Sequence, residues 1–195
     1  MENKEKFLHA FNTFRSSLLN SKSSYKRNEK GARPWAIPGT PGLEHRIGGL
    51  EKQADTGNVS YDSENHEFMV KAREAKVEKI ADYIPLQTID SGPEKGKVLI
   101  LGWGSTYGTI KSAALHLQSQ GKQVSHAHIK YVRPFPKNLG DILKNFETVI
   151  IPEINNGQLI KIIRDKYFVD AKGYNKIMGV PITKQELVSA VEKYL

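Results

Sequence analysis

Hydrophobic positions are unevenly spread along this chain, and their spacing predicts where its ordered elements lie. In the stretch KVLILGWGSTYGTIKSAALHLQSQG, Lys97 to Gly121, the apolar run Val98–Leu101 has the continuous pattern of a strand buried on both faces. Gly102 and Gly104 break the run. Ile110, Ala113, Ala114 and Leu117 then recur at i, i+3, i+4 and i+7, one face of a helix, and Gly121 suits a helix end with positive φ. The unit repeats. Val124–Ile129 predicts a second strand, followed by a helix capped by Asn138 and carrying Leu139, Ile142, Leu143 and Phe146. Thr148–Ile151 predicts a third strand, Gly157–Tyr167 a helix with Leu159, Ile162 and Ile163 inward, and Asn175–Met178 a short fourth strand. Thr183 and Glu186 form a capping box for a last helix that buries Leu187, Ala190, Val191 and Tyr194. Alternating strands and helices predict an α/β fold, a parallel sheet with right-handed crossovers and helices on both faces.

Before residue 97 the pattern is weaker. Phe7, Phe11, Phe14 and Leu18 fall on one face of a short helix, and NSKSSYKRNEKG then reads as loop. From Arg33 the chain is rich in Pro and Gly. Pro34, Pro38 and Pro41 with five glycines forbid a long helix or a central strand, while Trp35, Ile37, Leu43 and Ile47 are apolar anchors. A loop of this length is uncommon in a compact domain unless it is functional or covered by a partner. Asp62 or Ser63 can cap the next helix, whose apolar stripe is Val77, Ile80, Ala81 and Ile84, ended by Pro85; its charged first half predicts an exposed connector. Residues 86–96 read as a polar linker.

Composition narrows the chemistry. The 195 residues contain no cysteine, which excludes disulfides, thiolate zinc sites, cysteine-ligated iron–sulfur clusters and a cysteine nucleophile within the chain. No apolar run approaches the ~18 residues of a membrane span and MENKEKF is not a signal peptide, so a cytoplasmic location is expected. The net charge is +8, of which residues 1–33 carry +5. A basic arm that binds RNA is one reading, but the arm lacks interleaved aromatic residues, and a solvated terminus is preferred.

Candidate site residues are few. Gly102, Gly104 and Gly108 give G-x-G-x-x-x-G, one residue longer than the dinucleotide fingerprint, and no acid follows the second strand to hold a ribose. With Ser105 and Thr106 the turn is a weak cofactor-binding candidate; close packing of strand on helix is the preferred account of its glycines. Glu153 lies after a strand and before a helix, at the edge where open α/β sheets bind ligands. It can serve as an acid or base, though a structural turn is preferred for want of a partner residue. His126 and His128 share a strand face and could ligate a metal, but no third ligand is evident. His45 and Arg46 suit an anion or ordinary loop hydrogen bonds. No catalytic or metal-binding residue is assigned.

Six stretches, taken together, resemble the α subunit of 2-oxoacid:ferredoxin oxidoreductases, particularly the 2-oxoglutarate type. They include RPWAIPGTPGLEHRIGGLEK (33–52), LGWGSTYG (101–108), HIKYVRPFPKNLGDIL (128–143) and IPEINNGQLIKIIRDKYFVD (151–170), and they run in family order over residues 33–195. Arg133 stands where the family pattern has Asn before Pro-Phe-Pro, and residues 1–32 match weakly. The resemblance implies a three-layer α/β sandwich similar to the transketolase C-terminal domain at 97–195. It would be preceded by an irregular Pro/Gly-rich segment, helix and linker at 33–96 and a basic segment at 1–32. It implies that the parent enzyme decarboxylates a 2-oxo acid on thiamine diphosphate with Mg2+, transfers the acyl group to CoA and passes electrons through an iron–sulfur cluster to ferredoxin. None of these cofactors is expected in this chain. It is expected to be the C-terminal portion of the subunit, a piece of a longer chain or a split-gene product. Its role would be structural, with the remainder of the α subunit and a β subunit as partners. Trp35, His45 and Arg46 are its expected interface residues, and neither a membrane nor nucleic acid is an expected partner. Two other classes stay open: a free-standing α/β domain that binds a ligand at the 102–108 glycine turn, and a basic RNA-binding adaptor.

Overall fold

The computed structural model describes residues 24–44 and 47–195. His45, Arg46 and the helix face of Phe7, Phe11, Phe14 and Leu18 lie outside the described residues. The chain divides into two compact units, residues 1–80 and 81–195.

Among the described residues of the first unit the helix is α1, Ser63–Glu78, continued by a 3-10 turn over Lys79–Asp82. Asp62 caps α1, its carboxylate accepting the Asn65 backbone N–H at 2.7 Å. The expected stripe Val77, Ile80, Ala81 and Ile84 does not form one helical face, because the α-helix stops at Glu78; Met69 is the residue α1 buries. The described residues of the Pro/Gly-rich stretch before it have no regular secondary structure beyond the isolated bridge Lys52–Val59. It leaves Trp35 and Ile47 exposed at 74% and 82%.

The second unit is a four-stranded parallel sheet in the order β2-β1-β3-β4, where β1 is Gly96–Trp103, β2 Val124–Ile129, β3 Phe146–Glu153 and β4 Lys172–Asn175. The helices are α2, Tyr107–Ser119, α3, Leu139–Lys144, α4, Gln158–Tyr167, and α5, Lys184–Glu192. Period-two alternation on β1 sorts them into layers. Leu99 and Leu101 point to a core shared with Leu139 and Leu143 of α3 and Leu159 and Ile163 of α4. Val98 and Ile100 point to the opposite core, built with Ile110, Ala114 and Leu117 of α2 and Leu187 and Val191 of α5. The result is an α/β three-layer sandwich.

Residues 81–95 belong to this unit rather than acting as a free linker. The outer edge of β2 is partly covered, Asp90 and Ser91 pairing with His126 through backbone bonds of 2.7 to 3.3 Å. An uncovered edge strand invites pairing with other chains, so this cover removes a liability. Asn138 does not cap α3. Its side chain instead accepts from the Gln87 N–H at 2.8 Å and donates to the Gln87 carbonyl at 2.9 Å.

Three further expectations shift by a few residues. The fourth strand lies at Lys172–Asn175, because its register with Ile150–Glu153 ends at Asn175; Ile177 and Met178 are exposed beyond it. On α4 it is Ile160, not Ile162, that joins Leu159 and Ile163 in the core, and Ile162 is 51% exposed. On α5 Val188 is buried instead of Ala190 or Tyr194.

Candidate functional site

The connections leaving the adjacent strands β1 and β3 run in opposite directions, from β1 through α2 to β2 on one side and from β3 through α4 to β4 on the other. The carboxyl ends of β1 and β3 therefore flank a topological switch point, where open α/β sheets form ligand crevices. A cavity of about 290 Å³ opens there, lined by Ser105 and Thr106 after β1, Pro152 and Ile154 around the end of β3, and Val180 and Ile182 beyond β4.

The turn after β1 is a 3-10 turn, Gly104–Thr106. Gly104 has φ +58°, a conformation that disfavours a side chain, with open space around it. Thr106 Oγ1 donates to the Trp103 carbonyl at 2.8 Å, tying the turn to the end of the strand. Gly102 is glycine for another reason. A Cβ there would lie 2.5 Å from Ile110 Cδ1 and 2.7 Å from His128 Nδ1, so the glycine lets α2 and β2 approach the strand. Gly104, Ser105 and Thr106 thus meet at the switch point, whereas Gly102 serves packing beneath it.

Glu153 is adjacent in sequence to two residues of the cavity wall but faces the other side of the sheet. It is fully buried, and its two carboxylate oxygens accept the backbone N–H groups of Leu159 at 2.9 Å and Ile160 at 3.1 Å. Those are first-turn donors of α4, which have no partner within the helix. A carboxylate at a helix N-terminus also faces the positive end of the macrodipole. Glu153 fastens α4 to the end of β3 and presents no free oxygen to the cavity.

His126 and His128 do share a face, their ring centroids 5.9 Å apart, with the Tyr107 ring 5.4 Å from the first and 5.0 Å from the second. His128 Nε2 lies 3.1 Å from the Gly104 carbonyl and donates to it. Neither nitrogen of His126 nor Nδ1 of His128 has a hydrogen-bond partner. Burial holds the His126 pKa down to about 4, against the opposing pull of the Asp90 charge. Burial likewise lowers His128. Both rings are neutral at physiological pH and act as polar members of the core. Among the described residues no three His, Asp or Glu side chains are placed to hold a metal ion.

Sequence reasoning did not name the cavity wall at 179–182 as a site; the signal was that it lies in NKIMGVPITKQEL (175–187), one of the six stretches that carry the family resemblance. Nor did it single out Arg27, Arg33 and Lys52, which surround a separate cavity in the first unit.

Comparison with known proteins gives a consistent answer. Residues 96–187 match the family model for pyruvate:ferredoxin oxidoreductase core domain II. The chain is 44% identical over 156 residues to the 2-oxoglutarate oxidoreductase subunit KorA of Mycobacterium tuberculosis, a match that spans 80% of this chain and 24% of that protein. It is 30% identical over 190 residues to the alpha subunit of 2-oxoacid:ferredoxin oxidoreductase 2 of Aeropyrum pernix, spanning 93% of this chain and 29% of that protein. Among solved structures it superposes on a 2-oxoglutarate:ferredoxin oxidoreductase from Magnetococcus marinus with a TM-score of 0.81 and 30% identity, over 88% of this chain and 30% of that one. The chain spans about a quarter of the length of the curated relatives it matches. With the sheet order, the layering and these matches in agreement, the chain belongs to the alpha-subunit family of the 2-oxoacid:ferredoxin oxidoreductases.

Proposed function

We propose that this chain is the C-terminal, structural portion of the alpha subunit of a 2-oxoglutarate:ferredoxin oxidoreductase, that it works in the cytoplasm, and that it has no turnover by itself. The observation that carries this reading is the fate of Glu153. Glu153, at the end of β3 beside the ligand crevice, spends both oxygens on the first turn of α4, which favours an anchoring role over a catalytic one. The parent reaction would be oxidative decarboxylation of a 2-oxo acid to its acyl-CoA, with the remainder of the alpha subunit and a beta subunit as partners and ferredoxin as electron acceptor. The Magnetococcus marinus structure holds 2-oxoglutarate, coenzyme A and succinyl-CoA.

Thiamine diphosphate, Mg2+ and an iron–sulfur cluster would belong to the rest of that assembly. The residues here do not fit the cluster or the cation: there is no cysteine for a cluster, and among the described residues no set of three donors suits a divalent cation. No step is assigned to these groups in this chain. Its contribution is to hold a stiff sheet and to offer surfaces, Trp35 among them, to the missing polypeptide.

The test is reconstitution. The chain alone should show no 2-oxoglutarate- and CoA-dependent ferredoxin reduction, and activity should appear when the remainder of the alpha subunit and the beta subunit are supplied. Turnover by the isolated chain overturns the reading. Trp35→Ala should weaken assembly, and unchanged assembly removes Trp35 from the interface. The switch-point cavity favours a second reading, a free-standing ligand-binding domain. Protection of the amides of residues 104–110 from hydrogen exchange on adding NADP would support it.

A further inference from the structure

A second cavity, about 770 Å³, lies wholly within the first unit. Its lining holds five cationic side chains, Arg27, Arg33, Lys52, Arg73 and Lys76, and one carboxylate, Glu51. Glu51 is already committed. Its two oxygens accept from Arg73 at 3.1 and 3.4 Å, and one of them lies 2.9 Å from His66 Nδ1. Bonds to Arg73 and then His66 hold its pKa down to about 2. Glu51 therefore answers Arg73 and leaves the other cations.

Lys52 is 8% exposed, and its ammonium donates to the carbonyls of Leu50 at 2.9 Å and Gly48 at 3.5 Å. No ion pair joins it to a carboxylate among the described residues. Burying a charge on neutral acceptors alone is expensive. Arg27, which is half-buried, likewise donates to neutral acceptors, the Ala54 carbonyl at 3.2 Å and the Met69 sulfur at 3.5 Å. Its pKa is lowered first by burial and then by the charges of Arg33 and Arg73, against an opposing contribution from Asp55. The Arg33 guanidinium stacks on the Tyr25 ring, 4.4 Å from its centroid, which fixes its plane without neutralising it.

We propose that this cavity is a binding site for the diphosphate group of a small organic phosphate, with Arg27, Arg33 and Lys52 as its main contacts. Guanidinium forks grip phosphate oxygens in pairs, and an ammonium adds a point charge. The charge count selects the ligand. A monocarboxylate would leave most of the surplus uncompensated, whereas each terminal phosphate carries about −1.5 to −2 at neutral pH. Gly48 and Gly49 line the same cavity with open space about them, so neither puts a side chain in the way of an anion. The proposal goes beyond the family reading: Arg33 and Lys52 lie in the 33–52 stretch of the family pattern but outside the matched core domain.

The full chain titrated at low salt with inorganic pyrophosphate and, separately, with ADP is the test. Saturable one-site binding is expected, weakening as salt rises, with amide shifts at residues 48–52. Arg33→Gln, at an exposed position, and Lys52→Met should each weaken it about tenfold. ADP binding more tightly than pyrophosphate would identify a nucleotide, and equal binding a diphosphate alone. The proposal falls if neither probe saturates. It also falls if Arg33→Gln binds as well as the parent chain while its circular dichroism is unchanged, or if the shifts appear at residues 104–110. Affinity for an oligonucleotide that grows with strand length would replace it with a nucleic-acid surface.

Discussion

The two units of this chain are built on different principles. Before residue 81 the buried apolar side chains among the described residues are Tyr25, Ala54 and Met69; every other one lies in the α/β body. The body is held by two apolar cores on opposite faces of one sheet. The first unit is held by charge and short-range hydrogen bonds. Asn65 bridges Ala54 and Lys52, Glu51 ties Arg73 to His66, and Lys79 reaches the Glu29 carbonyl. An element that keeps Trp35 and Ile47 in water while burying Lys52 is not stabilised by the hydrophobic effect alone. The contrast teaches that the body is held by apolar burial, whereas the first unit leaves large apolar side chains in water and relies on polar contacts.

The largest effect that would sharpen this contrast is a cavity in the body. Leu99 is fully buried in the core facing α3 and α4, so Leu99→Ala should lower stability by about 3–4 kcal/mol in urea unfolding followed by tryptophan fluorescence. Hydrogen exchange in residues 48–66 should stay unchanged. Faster exchange there would show that the two units do not unfold separately.

Next comes pH. The folded pKa of His126 lies near 4, below the ordinary 6.5, so folding favours its neutral form. The stability this contributes is present above pH 6.5 and is lost as pH falls from 6.5 towards 4, by about 3 kcal/mol over the full window. Urea midpoints measured between pH 7 and 4.5 should fall for the parent chain and fall much less for His126→Leu. An equal fall in both would place the titrating group elsewhere.

Glu153→Ala should lower stability by about 2–3 kcal/mol, because two buried N–H donors of α4 lose their acceptor. Exchange should rise first at Leu159 and Ile160, and an unchanged rate there would remove Glu153 from the role of anchor. Thr183→Ala should take about 1 kcal/mol by opening the capping box with Glu186. The smallest effect belongs to the first unit. Glu51→Gln should quicken local exchange around residues 62–66, and high salt should mimic it without moving the global urea midpoint.

Much of the body was legible from spacing alone, for a physical reason. Strands and helices bury faces with fixed periods, and Ile110, Ala113, Ala114 and Leu117 kept theirs. Thr183 and Glu186 were equally readable, because a capping box is closed within four residues. Where a long-range partner decided the outcome, spacing failed. Asn138 went to Gln87 rather than to its own helix, and β4 ended where its pairing with β3 ended, not where the apolar Ile177 and Met178 sat. The site divides the same way. Gly104, Ser105 and Thr106 were readable as a turn at the ligand edge, but the sequence could not say which face of the sheet Glu153 would meet.

By itself the amino-acid sequence determined the parallel α/β class, the absence of thiolate chemistry and the family pattern over residues 33–195. All three depend on local periodicity, on composition or on motifs read in order along the chain. Tertiary structure alone decided that Glu153 anchors a helix, that Gly102 is required by the approach of Ile110 and His128, and that Arg27, Arg33 and Lys52 surround one cavity. Each of those facts needs residues distant in the chain to meet. Such meetings are fixed by the packing of whole elements, which no local pattern encodes.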